Sequence, residues 1–196
     1  MKSIELLKLL RTLNKVCYTI ADLEKITGLS RNSLYVALQR WIEGGVMERV
    51  GQGIYVPMGG SIALDNIAAQ IYIPNYLSFE SALARYGILN LVPYTLTFAT
   101  TRKTRKYTLQ KQEVEFRQIS PGLFFGYEMK NGIYIALPEK AFLDALYFSC
   151  KGRAVLDFDE LDINKLSTRQ LKLYAERFPD YVRKRLFEIL LNEGKT

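Results

Sequence analysis

Thr19-Ile20-Ala21-Asp22-Leu23-Glu24-Lys25-Ile26-Thr27-Gly28-Leu29-Ser30-Arg31-Asn32-Ser33-Leu34-Tyr35-Val36-Ala37-Leu38-Gln39-Arg40-Trp41-Ile42 is the stretch on which the fold turns. It holds two apolar-periodic segments separated by about three residues around Gly28, the spacing of a helix-turn-helix. Ile20, Leu23 and Ile26 line the buried side of the first segment, which Thr19 or a neighbour is placed to cap. Gly28 suits the turn because glycine takes a positive φ without a Cβ clash. Ser30 stands at the N-cap position of the second segment, its hydroxyl available to a backbone N–H. There Leu34, Leu38, Trp41 and Ile42 fall at i, i+4, i+7 and i+8, one stripe at helical period. The opposite face carries Asn32, Ser33, Val36, Gln39 and Arg40, flanked by Arg31 and Tyr35.

The surroundings extend this pattern. Ser3 to Leu13 predicts a preceding helix with Ile4, Leu7, Leu10 and neighbouring leucines on its apolar face. Gly44-Gly45 ends the third helix, and Val46–Val50 and Ile54–Val56 read as strands around Gly51-Gln52-Gly53. Three helices and a hairpin make a winged helix-turn-helix over residues 1–60. Folds of this kind place the first turn of the third helix in the DNA major groove. Ser30, Arg31, Asn32 and Ser33 occupy that end, and Arg and Asn have the donor geometry for guanine and adenine. Tyr35, Gln39 and Arg40 are placed for phosphate or sugar, which sets the docking angle, and Arg49 and Gln52 present the wing to backbone or minor groove. The alternative is a protein-interaction module whose polar face is merely solvated.

Composition bounds the partner. A chain of 196 residues, 48% apolar and 24% charged, has the makeup of a soluble protein of one large domain or two small ones. No apolar run approaches the roughly 18–20 residues that span a bilayer, and the N-terminus leads straight into a helical pattern with no signal peptide. The net charge of +7 favours an anionic partner. It is clustered: eight Lys/Arg against five Asp/Glu in 1–60, six against two in 94–118, and eight against four in 164–196. Histidine is absent, which removes histidine-dependent triads, most zinc sites and the commonest general base. Cys17 and Cys150 stand in apolar surroundings and read as buried free thiols of a cytoplasmic protein. No motif calls for a cofactor or a metal.

Beyond a break at Gly59-Gly60-Ser61, residues 61–196 read as a second, α+β domain. Ala63–Tyr72 predicts a helix able to pack on either side of the boundary. Tyr76-Leu-Ser-Phe-Glu-Ser-Ala-Leu-Ala-Arg-Tyr-Gly87 predicts another, between an N-cap at Ser78 and a C′ residue at Gly87. Strand signals in Tyr94–Thr101, Val114–Ile119, Leu123–Glu128 and Ile133–Leu137 predict an antiparallel sheet. Arg102, Lys103, Arg105 and Lys106 form a basic run between the first two. It is either a phosphate-contacting loop or a solvated hairpin tip that resists edge aggregation. Pro138 opens a helix with Glu139 in its first turn and Phe142, Leu143, Leu146 and Tyr147 as core residues. Asp157 to Asp162 is an acidic loop. Ser167-Thr-Arg-Gln170 has capping-box spacing, and a last helix from about Asp180 to Asn192 buries Val182, Leu186, Ile189 and Leu190. The class is α+β with a helical C-terminus.

Two charged groups raise the question of catalysis: Glu113, Glu115 and Arg117, and Glu139, Lys140 and Asp144. Metal-dependent cleavage wants carboxylates converging on an ion. Glu139 and Lys140 are helix neighbours that point apart, and Lys140 with Asp144 reads as an ordinary i,i+4 pair. With no glycine-rich phosphate loop and no nucleophile constellation, an enzyme is not expected, and a metal-dependent nuclease is the minor alternative.

Three places resemble the AbiEi family, the antitoxins and autoregulators of type IV toxin–antitoxin systems. They are the N-terminal winged helix ending in Gly53-Ile-Tyr55, the segment Tyr76–Gly87 quoted above, and Ile135-Ala-Leu-Pro-Glu-Lys-Ala-Phe-Leu-Asp144. Tyr86 departs from the pattern, since a histidine often precedes the matching glycine. The resemblance implies a repressor whose N-terminal domain binds inverted repeats in double-stranded operator DNA, with two copies on the two-fold site. It also implies that the C-terminal domain neutralises a nucleotidyltransferase-like toxin, without requiring a stable complex.

Overall fold

The computed structural model describes residues 3–13, 15–59 and 63–193, the last two by backbone alone. The fold is α+β, and its contacts divide the chain into two compact units. One comprises Met1–Ile73 with Tyr107–Glu113, the other Pro74–Lys106 with Val114–Thr196. Of the break expected at Gly59-Gly60-Ser61, Gly60 and Ser61 lie outside the described residues.

The first unit runs α1 (Ser3–Leu13), β1 (Tyr18–Thr19), α2 (Ile20–Thr27), α3 (Arg31–Glu43), β2 (Met47–Gly51), β3 (Ile54–Pro57) and α4 (Leu64–Ile71). Its sheet is antiparallel in the order β1-β3-β2. The three helices and the β2–β3 hairpin expected from the sequence are present, with a further short strand, β1, before α2. Leu6 and Leu10 of α1, Leu23 of α2, Leu34, Leu38 and Trp41 of α3, and Tyr18, Met47 and Tyr55 of the sheet form the core. Ile4, expected on the apolar face of α1, is 68% exposed because, at about 100° per residue, it lies on the side of the helix away from the buried Leu6 and Leu10. Thr19 caps α2 reciprocally: Asp22 N–H donates to Thr19 Oγ1 at 3.2 Å, and Thr19 N–H donates to the Asp22 carboxylate at 2.8 Å. Gly28 ends α2 at φ +67°, its N–H returning to Glu24 O at 2.9 Å. Helix α4 belongs here, with Val16 N–H donating to Gln70 Oε1 at 3.2 Å and the Cys17 thiol meeting Ile67 O at 3.8 Å.

The second unit contains β4 (Asn75–Leu77), α5 (Phe79–Arg85), β5 (Leu96–Thr100), β6 (Arg105–Leu109), β7 (Gln112–Gln118), β8 (Tyr127–Lys130), β9 (Ile133–Ala136), α6 (Pro138–Cys150), α7 (Thr168–Ala175) and α8 (Asp180–Glu193), with the β6–β7 tip lying in the first. The six strands are ordered β6-β7-β5-β4-β9-β8. The sheet is mixed rather than antiparallel as expected, since β5 pairs with β7 and β4 with β9 in parallel. Two features cause this. The three-residue β4, too short to show periodicity, inserts between β5 and β9, and β6 folds back outside β7 instead of between β5 and β7. Asn131-Gly132 joins β8 to β9 with φ of +50° and +84°, the primed turn that matches strand twist. No strand starts at Leu123: Pro121–Leu123 is a short 3-10 turn, and Gly126 at φ +70° delays β8 to Tyr127.

Helix α6 is buried on every side from Lys140 to Phe148, as a helix crossing the middle of its unit must be. In α8, Val182, Leu186 and Ile189 are buried as expected, while Leu190 is only half-buried.

Candidate nucleic-acid interface

Helix α3 separates its two faces cleanly. Leu34, Ala37, Leu38 and Trp41 are at most 3% exposed, and each buried leucine contributes about 1.5–3 kcal/mol. Ile42, expected on this stripe, is 38% exposed. At about 100° per residue it lies some 80° round from Leu34, and Ala37 occupies the buried arc instead.

Arg31, Asn32, Ser33, Tyr35, Val36, Gln39 and Arg40 are all exposed, as is Ser30 before them. Asn32, Val36 and Gln39 lie opposite the buried leucines at about the centre of the open face. Ser30 has the extended backbone of an N-cap, but its hydroxyl donates to Ser33 Oγ at 3.0 Å and makes no cap bond. The first-turn amides of α3 therefore carry no side-chain cap from Ser30, and they add positive potential at that end. Arg31 is held only loosely, its Nε 3.7 Å from Glu24 across the turn. Exposed pairs of this kind contribute about 0–1 kcal/mol, so Arg31 is easily redirected. Gln39 donates to Glu43 at 3.0 Å on the same exposed surface.

The turn expected as the wing joins β2 to β3. Arg49 and Gln52 are exposed, and Arg49 Nε donates to Gly51 O at 3.2 Å across the bulge that separates Arg49 from Gly51. Of the basic run, Arg102 and Lys103 lie in the connection after β5, and Arg105 and Lys106 begin edge strand β6. The hairpin-tip alternative is therefore corrected, because the chain reverses at Gln110-Lys111 instead. Lys106 lies 3.6 Å from Glu115. The run belongs to the second unit, and α3 and the β2–β3 turn to the first.

The second unit holds a polar centre that spacing did not foretell. Lys140 and Asp144 are not an ordinary surface pair: both side chains are fully buried. The Lys140 ammonium contacts Asp144 Oδ1 and donates to the Tyr76 hydroxyl at 2.8 Å. The Tyr76 and Ser78 hydroxyls donate to Asp144 Oδ2 at 2.9 and 2.8 Å. Rings of Tyr76, Phe125 and Phe178 surround the cation at 5.1–5.3 Å. Burial pushes the Lys140 pKa down, with Asp144 opposing, and burial beside the Asp144 charge pushes the Tyr76 phenol well up. Gly126 is needed here, because a Cβ would sit 3.1 Å from Lys140 Cγ at a positive φ. Ser78 thus stands at the N-cap position of α5 but makes no cap bond, its hydroxyl serving Asp144. The one sequence signal was a lysine and an aspartate inside an otherwise apolar run.

The other charged group is also a packed one. Arg117 donates to both oxygens of Glu80 at 2.8–2.9 Å and to Glu115 at 2.9 Å, with Phe79 against its face at 4.9 Å. Glu139 accepts from Ser167 N–H at 2.9 Å. Tyr86, at the position where the resemblance has histidine, donates to Ala136 O at 3.0 Å. Among the described residues no three His, Cys, Asp or Glu side chains are grouped to hold a metal, and no helix is long and apolar enough to cross a membrane. Cys17 is buried, its thiol pushed up to about 11 by burial, but Cys150 is exposed, contrary to expectation, because it ends α6. Compared with known proteins, the chain matches no family model and no curated relative.

Proposed function

We propose that the protein is a DNA-binding autorepressor, with α3 as its recognition helix, and that it serves as the antitoxin of a type IV toxin–antitoxin pair. One observation carries the DNA reading. Helix α3 keeps its apolar stripe in the core and turns Arg31, Asn32, Ser33, Val36, Gln39 and Arg40 to solvent. A helix built for packing alone has no need of a face that combines a guanidinium and carboxamides with an exposed valine. Arg31 and Asn32 match guanine and adenine edges, and Val36 adds an apolar partner for a thymine methyl group. Arg40, Tyr35 and the wing residues Arg49 and Gln52 contact phosphate and sugar. Two copies bind an inverted repeat with half-sites about one helical turn apart. The antitoxin role rests on the three AbiEi-like segments, and the partner it implies is a nucleotidyltransferase-like toxin.

Titration of the full chain against its own promoter duplex and a scrambled duplex tests the DNA role. Arg31→Ala loses about 1–3 kcal/mol of discrimination between them, while Arg40→Ala weakens both equally. Retained operator preference in Arg31→Ala contradicts the groove assignment. Co-expression of the Arg31→Ala/Arg40→Ala double variant with the toxin, from an unrelated promoter, tests the division of labour. Rescue from toxicity is expected to persist while repression is lost.

A further inference from the structure

The β6–β7 hairpin is divided between the two units: its tip, Tyr107–Glu113, belongs with the first, and the rest of both strands with the second. The tip is fastened to the wing. Gln110 N–H donates to Val50 O at 2.8 Å, and Leu109 is fully buried. Tyr107 packs its ring 6.3 Å from that of Tyr72 at the end of α4. Gly51 records how close the approach is. A Cβ there would stand 2.7 Å from Leu109 Cδ2 and 3.1 Å from the Thr108 carbonyl. Its φ is not positive, so the neighbouring hairpin and not the backbone conformation excludes a side chain. The tip itself turns on Gln110 and Lys111 at φ +47° and +72°, values that non-glycine side chains rarely adopt. A turn held in that state is one whose surroundings determine it.

From these contacts we infer that residues 107–113 are a brace for the wing, making Leu109 and Gln110 positioning residues of the DNA reader. The reader is then not residues 1–60 but the whole of the first unit, including a strap that returns from beyond the basic run. Arg49 and Gln52 owe their presentation to it, because Val50 and Gly51, between them, are the residues it grips. The DNA consequence rests on the reading of α3 and the wing given above; the brace itself does not.

Hydrogen exchange and operator titration on four full-length proteins test this: wild type, Leu109→Ala, Gly51→Ala and the double variant. Amides of residues 47–57 are expected to exchange about tenfold faster or more in either single variant. The double variant should show less than the combined effect, since the shortened residue 109 leaves room for the new Cβ. Operator affinity falls in step, and amides of α6 stay protected as the internal reference for folding. If Leu109→Ala loosens α6 as well, Gly51→Ala, confined to the wing, decides. Unchanged wing exchange, or fully additive effects, overturns the brace. A loosened wing with undiminished operator affinity overturns the positioning role. A wild-type protein that binds no duplex sinks the α3 reading alone, because wing exchange still judges the brace.

Discussion

Helices α3 and α6 are each thirteen residues long; α3 carries Arg31 and Arg40 and α6 carries Lys140, and the two helices dispose of basic charge in opposite ways. On α3, Arg31 and Arg40 stand in water with one long, exposed ion pair between them and the rest of the fold. On α6, Lys140 is withdrawn from water altogether, its ammonium bonded to Asp144 and to the Tyr76 hydroxyl. Desolvating a charge is so unfavourable that a buried one persists only with its partners in place. A cation left exposed on a helix whose other face is well packed keeps its donors available to a ligand. On the reading proposed above the first arrangement serves recognition, whereas the second serves the fold, and substitutions should sort accordingly.

The largest effect is expected in α6. Asp144→Ala leaves the Lys140 ammonium and two hydroxyls without their shared acceptor, and should destabilise the second unit by about 3–5 kcal/mol, read by denaturant unfolding. Arg31→Ala should alter stability by no more than about 0.5 kcal/mol in the same assay. A stability loss at Arg31 approaching that at Asp144 would break the contrast.

Binding data sharpen it from the other side. Arg40→Ala should lower affinity for every duplex and reduce the salt slope by about one, as loss of a single phosphate contact does. Asp144→Asn, where it folds, should leave that slope unchanged.

Two smaller effects probe the edges. Burial pushes the Asp22 carboxyl up, but Lys15 and the Thr19 donors outweigh it and hold the pKa below the ordinary 3.8. Its capping contribution is therefore complete above about pH 4 and lost as pH falls through the folded value. Amide exchange at the start of α2 should rise below pH 4 ahead of that in α6. With a thiol reagent at pH 8, Cys150 should label in the native protein and Cys17 only after unfolding.

What was legible in the sequence follows the same division. The first unit could be read because its elements are local: a capped helix, a glycine turn, an amphipathic helix and a hairpin, each decided within a dozen residues. Even there Ser30 misled, since a hydroxyl at an N-cap position has a choice of partners and took Ser33. The second unit depends on distant pairings. A three-residue strand such as β4 has no periodicity, and Lys140–Asp144 at i,i+4 looks alike on a wet surface and in a core. Its partners Tyr76 and Ser78 lie more than sixty residues away. The Gln110-Lys111 turn carries none of the glycine or asparagine that marks a primed hairpin, so the sequence offers no signal for it and leaves the basic run as one candidate tip. Replacing Gln110-Lys111 by Asn-Gly should therefore strengthen the hairpin by a few tenths of a kcal/mol or more, with wing amides exchanging more slowly.

The most direct test is amide exchange of the full-length protein with and without its promoter duplex at near-saturating concentration. Slowed exchange is expected to concentrate in residues 30–40 and in the wing at 49–53, with α6 unaffected. Tight, sequence-selective binding that leaves α3 and the wing unprotected, and protects another surface instead, would contradict it.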